Sequence, residues 1–330
     1  MILIITNNLD WSTNEVIDWL GHFNAKFVRL NIDELHLMEC NIYLNEKKPY
    51  FEIEIPTFGK INSNEINSVW FRRSADIDLK VIEIFKNEQL RRNVGKYLFT
   101  EIKYLREAIY AILKDKFVVN NPFNSKVDKA MALITANNCG LKIPNTILSN
   151  SNNSLKKFMI ENKTCITKPI HNMERLVINN NTFLQYTSKI KPSNLRNDSN
   201  INYYPLKIQK EIEKTYEIRV FYLHKELYSM AIFSQNDKQT ETDFRQYNYK
   251  NPNRTVPIKL DKKTEKKIVN FMQSMALNCG SLDFIKSKDG FVYFLEVNPV
   301  GQFGMVSHPC NYNLEMLIAK KLIENDKKKY

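Results

Sequence analysis

GSLDFIKSKDGFVYFLEVNPVGQF, residues 280–303, reads as two strands joined by a turn at Lys288-Asp289-Gly290. On the second strand Glu296 and Asn298 stand two residues apart, so strand periodicity points both side chains to one face. Asp283, near the start of the first strand, can reach the same side. Two carboxylates and an amide oxygen are hard donors, suited to Mg2+ that bridges nucleotide phosphates. Both strands are otherwise apolar through Leu282, Phe284, Phe294, Leu295 and Val297, which sets the acids beside a core. Carboxylates so placed are costly without a cation. Asp283, Glu296 and Asn298 are therefore the expected metal ligands.

Away from this hairpin, strand and helix signals alternate. Residues 1–6 form a continuous apolar run suited to a buried parallel strand. The run lacks the basic flank and small-residue cleavage site of a signal peptide. Ser12-Thr13-Asn14-Glu15 predicts a capping box ahead of Val16, Trp19, Leu20 and Phe23 at helical spacing. Strands at 26–30 and 68–72, a hairpin at 41–55 and a helix over 81–114 complete a first α/β lobe. The arginines that end the 68–72 run, Arg72 and Arg73, read as a solvated pair. A strand at 117–121 ends at Pro122, and a helix over 125–138 stops at Gly140. Strands at 144–148 and 164–168 flank a helix at 154–162. Residues 179–202 are polar, Asn-rich and basic without a sustained period, which predicts a flexible or partner-ordered segment. Strands at 206–212, 217–223 and 226–234, a helix at 261–277, the hairpin above and a helix at 314–324 follow. The expected domains are 1–115, 116–205 and 206–330.

Composition narrows the functional classes. Among 330 residues, 48 Lys+Arg against 36 Asp+Glu leave a net charge of +12, which favours an anionic partner. No apolar run is long enough for a membrane-spanning helix. Five scattered cysteines without a C-x-x-C predict reduced thiols and a cytoplasmic setting. Five histidines without an H-E-x-x-H argue against a zinc site. The basic residues are dispersed rather than gathered in a recognisable module, so no specific nucleic-acid partner is expected.

Two lysines could complement the acids, since lysine meets phosphate as a point charge. Lys129 begins the helix that ends at Gly140, and Lys168 ends the strand Cys165–Lys168 before Pro169. They belong to an ordered series: Asp128-Lys129, Thr167-Lys168-Pro169, Ile208-Gln209-Lys210-Glu211-Ile212, Glu217-Ile-Arg219, Asp283 and Glu296-Val-Asn298-Pro299. Over about residues 116–330 this series resembles the ATP-grasp ligases. Val69-Trp-Phe-Arg-Arg73, Val119-Asn-Asn-Pro122, Ser234-Gln235, Asp243-Phe-Arg245 and Asn298-Pro-Val-Gly-Gln-Phe303 resemble the maturases of graspetides, the microviridin-type and grasp-with-spasm peptides.

That resemblance implies an ATP-grasp fold: an N-terminal α/β pre-ATP-grasp lobe, then two α+β lobes clasping ATP. Lys129 and Lys168 match the phosphate-binding lysines. Gln209, Lys210, Glu211 and Ile212 match the hinge whose backbone reads adenine, and Glu217 matches the acid that binds ribose. Asp283, Glu296 and Asn298 match the Mg2+ ligands. Arg219 matches an arginine near the γ-phosphate and acceptor carboxylate, with Arg245 a second candidate clamp. The implied reaction activates Asp or Glu side chains of a ribosomally made precursor peptide (a leader plus an acidic core) as acyl phosphates. Ser/Thr hydroxyls or Lys amines then displace phosphate, forming ω-ester or ω-amide links. The alternative is a carboxylate–amine ligase acting on amino acids or a protein C-terminus. ATP and Mg2+ are the implied cofactors, and a homo-oligomer, dimer or higher, is the implied assembly. Lys168-Pro-Ile-His-Asn-Met-Glu-Arg175 departs from the family by having no glycine where a phosphate flap is expected.

Overall fold

The computed structural model describes residues 1–44, 48–73, 80–171, 175–179, 181–184, 186–198, 201–235, 237 and 248–327. Two compact units emerge: Met1–Ser125 with Asn313–Tyr330, and Lys126–Tyr312.

The first unit contains β1 (Ile2–Thr6), α1 (Trp11–His22), β2 (Phe27–Asn31), β3 (Cys40–Tyr43), β4 (Tyr50–Ile55) and β5 (Gly59–Asn62). After these come β6 (Ser68–Phe71), α2 (Glu88–Leu113) and β7 (Phe117–Val119). The strands β2-β1-β6-β7 form a parallel sheet, and β3-β4-β5 an antiparallel meander. Every residue of β1 is buried, as a continuous apolar run in a central parallel strand must be. Leu3 and Ile5 join a core with Phe51, Ile53, Val69 and Ile109. The C-terminal helix Leu314–Asp326 packs on α1, β1, β6 and β7, so this last helix clusters with the first unit.

Two local expectations change. The first helix starts at Trp11 with Asp10 as its N-cap, two residues ahead of Ser12, the first residue of the expected capping box. Ser12 and Thr13 instead donate to Asp10 at 2.6 and 2.9 Å, from inside the helix. Arg72, expected to be solvated, is 1% exposed. Its Nε lies 3.3 Å from Asp10 Oδ2, and it donates to Ser12 Oγ at 2.9 Å. Burial pushes the Asp10 carboxyl up, but Arg72, then Ser12, Thr13 and Arg73, hold it below its ordinary range. The acid and arginine belong together because either one alone would be an uncompensated buried charge.

The second unit begins with α3 (Lys129–Asn138), β8 (Thr146–Ser151), α4 (Asn152–Asn162), β9 (Cys165–Thr167), β10 (Arg175–Ile178), β11 (Asn181–Leu184) and β12 (Ser188–Ile190). It continues through β13 (Asn202–Lys210), β14 (Lys214–Leu223), β15 (Glu226–Phe233), β16 (Arg254–Ile258), α5 (Lys262–Ser274), β17 (Cys279–Ser287), β18 (Val292–Asn298) and α6 (Gly304–Cys310). One sheet has the order β12-β9-β13-β8, and a larger antiparallel one has β16-β15-β14-β17-β18. In the first, Ile208 and Cys165 pack on Leu155 and Met159 of α4. In the second, Ile218, Val220, Leu282, Phe284 and Phe294 pack on α5 and α3. Phe294 sits between Phe271 and Phe284, with ring centroids 4.9 and 5.5 Å apart. Full burial of one such ring contributes about 1.5–3 kcal/mol.

Residues 179–202 contain β11, β12 and the first residue of β13, where the sequence shows no period. β12 pairs with β9, and Ile190 packs against the smaller core. Strands of three or four residues are too short to display alternation. The helix expected over 125–138 starts at Lys129 because Asp128 caps it, accepting from the N–H groups of Ala130 and Met131 at 2.7 and 2.9 Å. The stretch expected as one helix over 81–114 is a 3-10 turn, Lys80–Ile84, followed by α2, which Asn87 caps.

Candidate active site

Strand register gathers the charged residues. Arg219 on β14 stands opposite Asp283 on β17, which stands opposite Glu296 on β18. Directly opposed residues share a face, so the three form one row across the sheet. Ser281 opposes Asn298 on the same face. Between these pairs and Phe284↔Phe294 the register shifts, leaving Leu295 as the extra residue of a bulge. Without that bulge, Phe294 and Glu296 would share a face. With it, Phe294 enters the core and Glu296 faces away.

Each carboxylate has a cation. Arg219 NH1 donates to both Asp283 oxygens at 2.8 Å, and Lys129 Nζ lies 3.1 Å from Glu296 Oε2. Asn298 Oδ1 accepts the Val300 N–H at 3.1 Å, which fixes the orientation of its amide. Gly301, just beyond, approaches Ser281 so closely that a Cβ there would lie 2.2 Å from its Oγ. Asp283, Glu296 and Asn298 offer only oxygen donors, the chemistry of a Mg2+ site.

Glu217, two residues before Arg219 and on the same face of β14, is 7% exposed. Lys214 and Ser234 both donate to its Oε1, Ser234 at 2.8 Å. Burial nevertheless pushes the Glu217 carboxyl above its ordinary range, against the pull of Lys214.

Gln209 and Lys207 point from β13 to the sheet face opposite Ile208. Gln209 is fully buried; its Nε2 donates to Thr146 Oγ1 at 2.8 Å, and that hydroxyl donates to the Pro144 carbonyl at 2.8 Å. Among the described residues, Gln209 Oε1 is left buried without a hydrogen-bond partner. At the strand end, the N–H groups of Lys210 and Glu211 donate to Asn145 O and Thr164 O, both at 2.9 Å. These two donors of the expected hinge are therefore engaged, and Ile212 follows them in the connection to β14. The side chain of Lys210 is exposed, and Glu211 pairs with Lys189 at 3.0 Å.

Lys168 is half-buried just after β9. Arg245 and residues 172–174, in the segment after Lys168, lie outside the described residues. Lys207 went unnoticed in the sequence. It is 3% exposed and lines a cavity of about 450 Å3 with Ala130, Leu133, Pro144, Thr146 and Leu148. Its signal was available: it stands two residues before Gln209, on the same strand face. Gly301 figures in the sequence reading only within the Asn298–Phe303 motif, and its close approach to Ser281 was missed because it depends on a loop conformation.

Comparison with known proteins bears on this arrangement. Residues 1–126 match the family model of the MvdD pre-ATP grasp domain. No curated protein matches the chain. The RiPP-associated ATP-grasp ligase of Chryseobacterium gregarium, in complex with ADP and a leader and core peptide, superposes with a TM-score of 0.85 at 23% identity. The match covers 100% of this chain and 99% of that one. The fold is thus the ATP-grasp fold, with a pre-ATP-grasp domain at its N-terminal end, as the motif series predicts.

Within that class the chain is similar to peptide macrocyclases. MdnC of Microcystis aeruginosa, bound with precursor peptide MdnA, matches at 24% identity with a TM-score of 0.79, over 98% of this chain and 99% of that one. PsnB, complexed with a phosphomimetic variant of its minimal precursor, Mg and ADP, matches at 18% with a TM-score of 0.75, over 99% and 98%. Among the described residues, no helix is long and apolar enough to cross a membrane.

Proposed function

We propose that this chain is an ATP-dependent ligase that activates Asp or Glu side chains of a precursor peptide and closes them onto hydroxyls or amines of the same peptide. One observation carries the reading: the row Arg219–Asp283–Glu296, extended to Lys129, on a sheet face of an ATP-grasp fold. The all-oxygen set of Asp283, Glu296 and Asn298 fits Mg2+, and these residues would hold it. Mg2+, when bound, supplies charge neutralisation on phosphate oxygens.

The chain's own groups do the positioning. Lys129 and Lys168 attract the phosphates. The buried Gln209 and the stretch Lys210–Ile212 border the base, and Glu217 accepts from ribose hydroxyls. Arg219, whose NH1 donates to both oxygens of Asp283, is placed to turn to an incoming carboxylate or to the transferring phosphoryl group. Arg245 is assigned to the peptide carboxylate by the motif alone. Aligning carboxylate and phosphorus accounts for up to about 7–11 kcal/mol of barrier lowering. No enzyme nucleophile is required, and burial pushes the thiols of Cys40, Cys165 and Cys310 up, away from reactivity.

The test is mass spectrometry of an acidic precursor peptide, encoded next to this chain, after incubation with ATP and Mg2+. The expected product is lighter by one water per new bond, with one phosphate released for each. Phosphate release with free amino acids but unchanged peptide mass would refute the peptide reading in favour of an amino-acid ligase.

A further inference from the structure

We propose that Lys207 is a third cationic contact for the nucleotide, engaging it from the wall of a cavity that Ala130, next to Lys129, and Ile170, two residues after Lys168, also line. The inference rests on the nucleotide-binding reading above and adds a residue that the two-lysine pattern does not contain.

Position makes the first argument. β13 turns Ile208 into the small core, and the same alternation turns Lys207 and Gln209 to the other face. There Lys207 is 3% exposed in a cavity wall that combines Ala130 and Leu133 of α3 and Leu148 of β8 with the uncharged polar Asn137, Asn145 and Thr146. An aliphatic residue would pack this wall at no electrostatic cost, whereas a buried ammonium is costly without a partner. Among the described residues Lys207 has no ion pair and no side-chain hydrogen bond.

Charge makes the second. The groups whose fields reach Lys207 are Lys168, Lys129, Glu296 and Asp128. Both acids are already engaged, Glu296 by Lys129 and Asp128 by the N–H groups that begin α3. The local field is therefore repulsive to an ammonium. Burial first, then Lys168 and Lys129, push Lys207 down to about 7. A polyphosphate entering beside three lysines reverses that field and favours the charged form.

Linkage follows with a definite sign. Binding raises the Lys207 pKa, so its contribution to affinity is complete below the free-state value of about 7. That contribution is lost as pH rises through the higher value of the bound state. Between these limits, nucleotide binding takes up a proton.

The test is calorimetric titration of the full chain with ADP and Mg2+ in two buffers of different ionisation enthalpy near pH 8, repeated for Lys207→Met and Lys207→Arg. The wild type is expected to take up a proton. Lys207→Met should bind about tenfold or more weakly, without the uptake and with an affinity that no longer falls between about pH 7 and 9. Lys207→Arg, permanently charged, should bind without the uptake. Wild-type affinity and uptake in Lys207→Met would overturn the proposal. So would its failure to fold, since that would make the lysine a structural element. Absence of nucleotide binding by the wild type would be a different failure, that of the functional reading itself, and would take this inference with it.

Discussion

Asp283→Asn is expected to cripple condensation of the precursor, lowering the rate about a hundred- to a thousandfold, the scale reached when a single preorganised electrostatic contact is lost. Asparagine keeps the shape of the side chain and removes the charge. Two effects then separate. The oxygen set on the sheet face loses one of its two carboxylates, so its attraction for a divalent cation falls. Arg219, 8% exposed, loses the anion that it contacts with both hydrogen bonds at 2.8 Å. Breaking such a pair from one side costs about 3–5 kcal/mol when burial is complete, and less here because Asp283 is partly accessible. The double variant Asp283→Asn with Arg219→Met removes the orphaned charge and should recover most of the melting temperature while remaining inactive. If Asp283→Asn retained peptide mass loss at the wild-type rate, the row could not be the site of activation.

Gly301→Ala is expected to be the most damaging of the glycine-to-alanine changes in this chain. The new Cβ would lie 2.2 Å from Ser281 Oγ, 2.4 Å from Ser281 Cβ and 2.7 Å from Ser281 N. A side-chain oxygen can rotate away, but the backbone nitrogen of a central strand cannot. The loop must move instead, and Gly301 N–H is bonded to the carbonyl of Asn298 at 3.1 Å. Displacing Gly301 therefore displaces Asn298. Overpacking of this kind costs about 1–3 kcal/mol and occasionally more. Urea denaturation should show that loss, and nucleotide affinity should fall with it. Gly21→Ala is the control: nothing lies within 4 Å, the residue is inside α1, and about 0.5–1 kcal/mol of stabilisation is expected. Equal stability of the two variants would contradict a backbone-limited approach of Gly301 to Ser281.

Period-2 reasoning grouped Glu296 with Asn298 from sequence, and the same rule would have set Phe294 with them. The bulge at Leu295 moves Phe294 to the core, and nothing in the residue pattern announces it, because Leu295 resembles any strand residue. The pairing of Arg219 with Asp283 was not legible either. It is a register between strands 64 residues apart, which local periodicity does not encode. Arg72 was misread for the same reason: its partner Asp10 is distant in sequence, and only the fold converts an end-of-strand arginine into a buried one. Lys207 was hidden by abundance, as one of 48 basic residues, even though its spacing from Gln209 marked it. What the sequence did display was order: cations before the hinge, acids after it, and a fold class in agreement with that order.

The account stands on Asp283, Glu296 and Asn298 retaining a divalent cation with a nucleotide. Equilibrium binding of ADP to the full chain, measured with Mg2+ and again with the metal chelated, tests this most directly. The account expects one saturable site with Mg2+, weakened at least about tenfold by chelation and by Glu296→Gln. Binding of equal strength with and without the metal, or no binding in either condition, would contradict it.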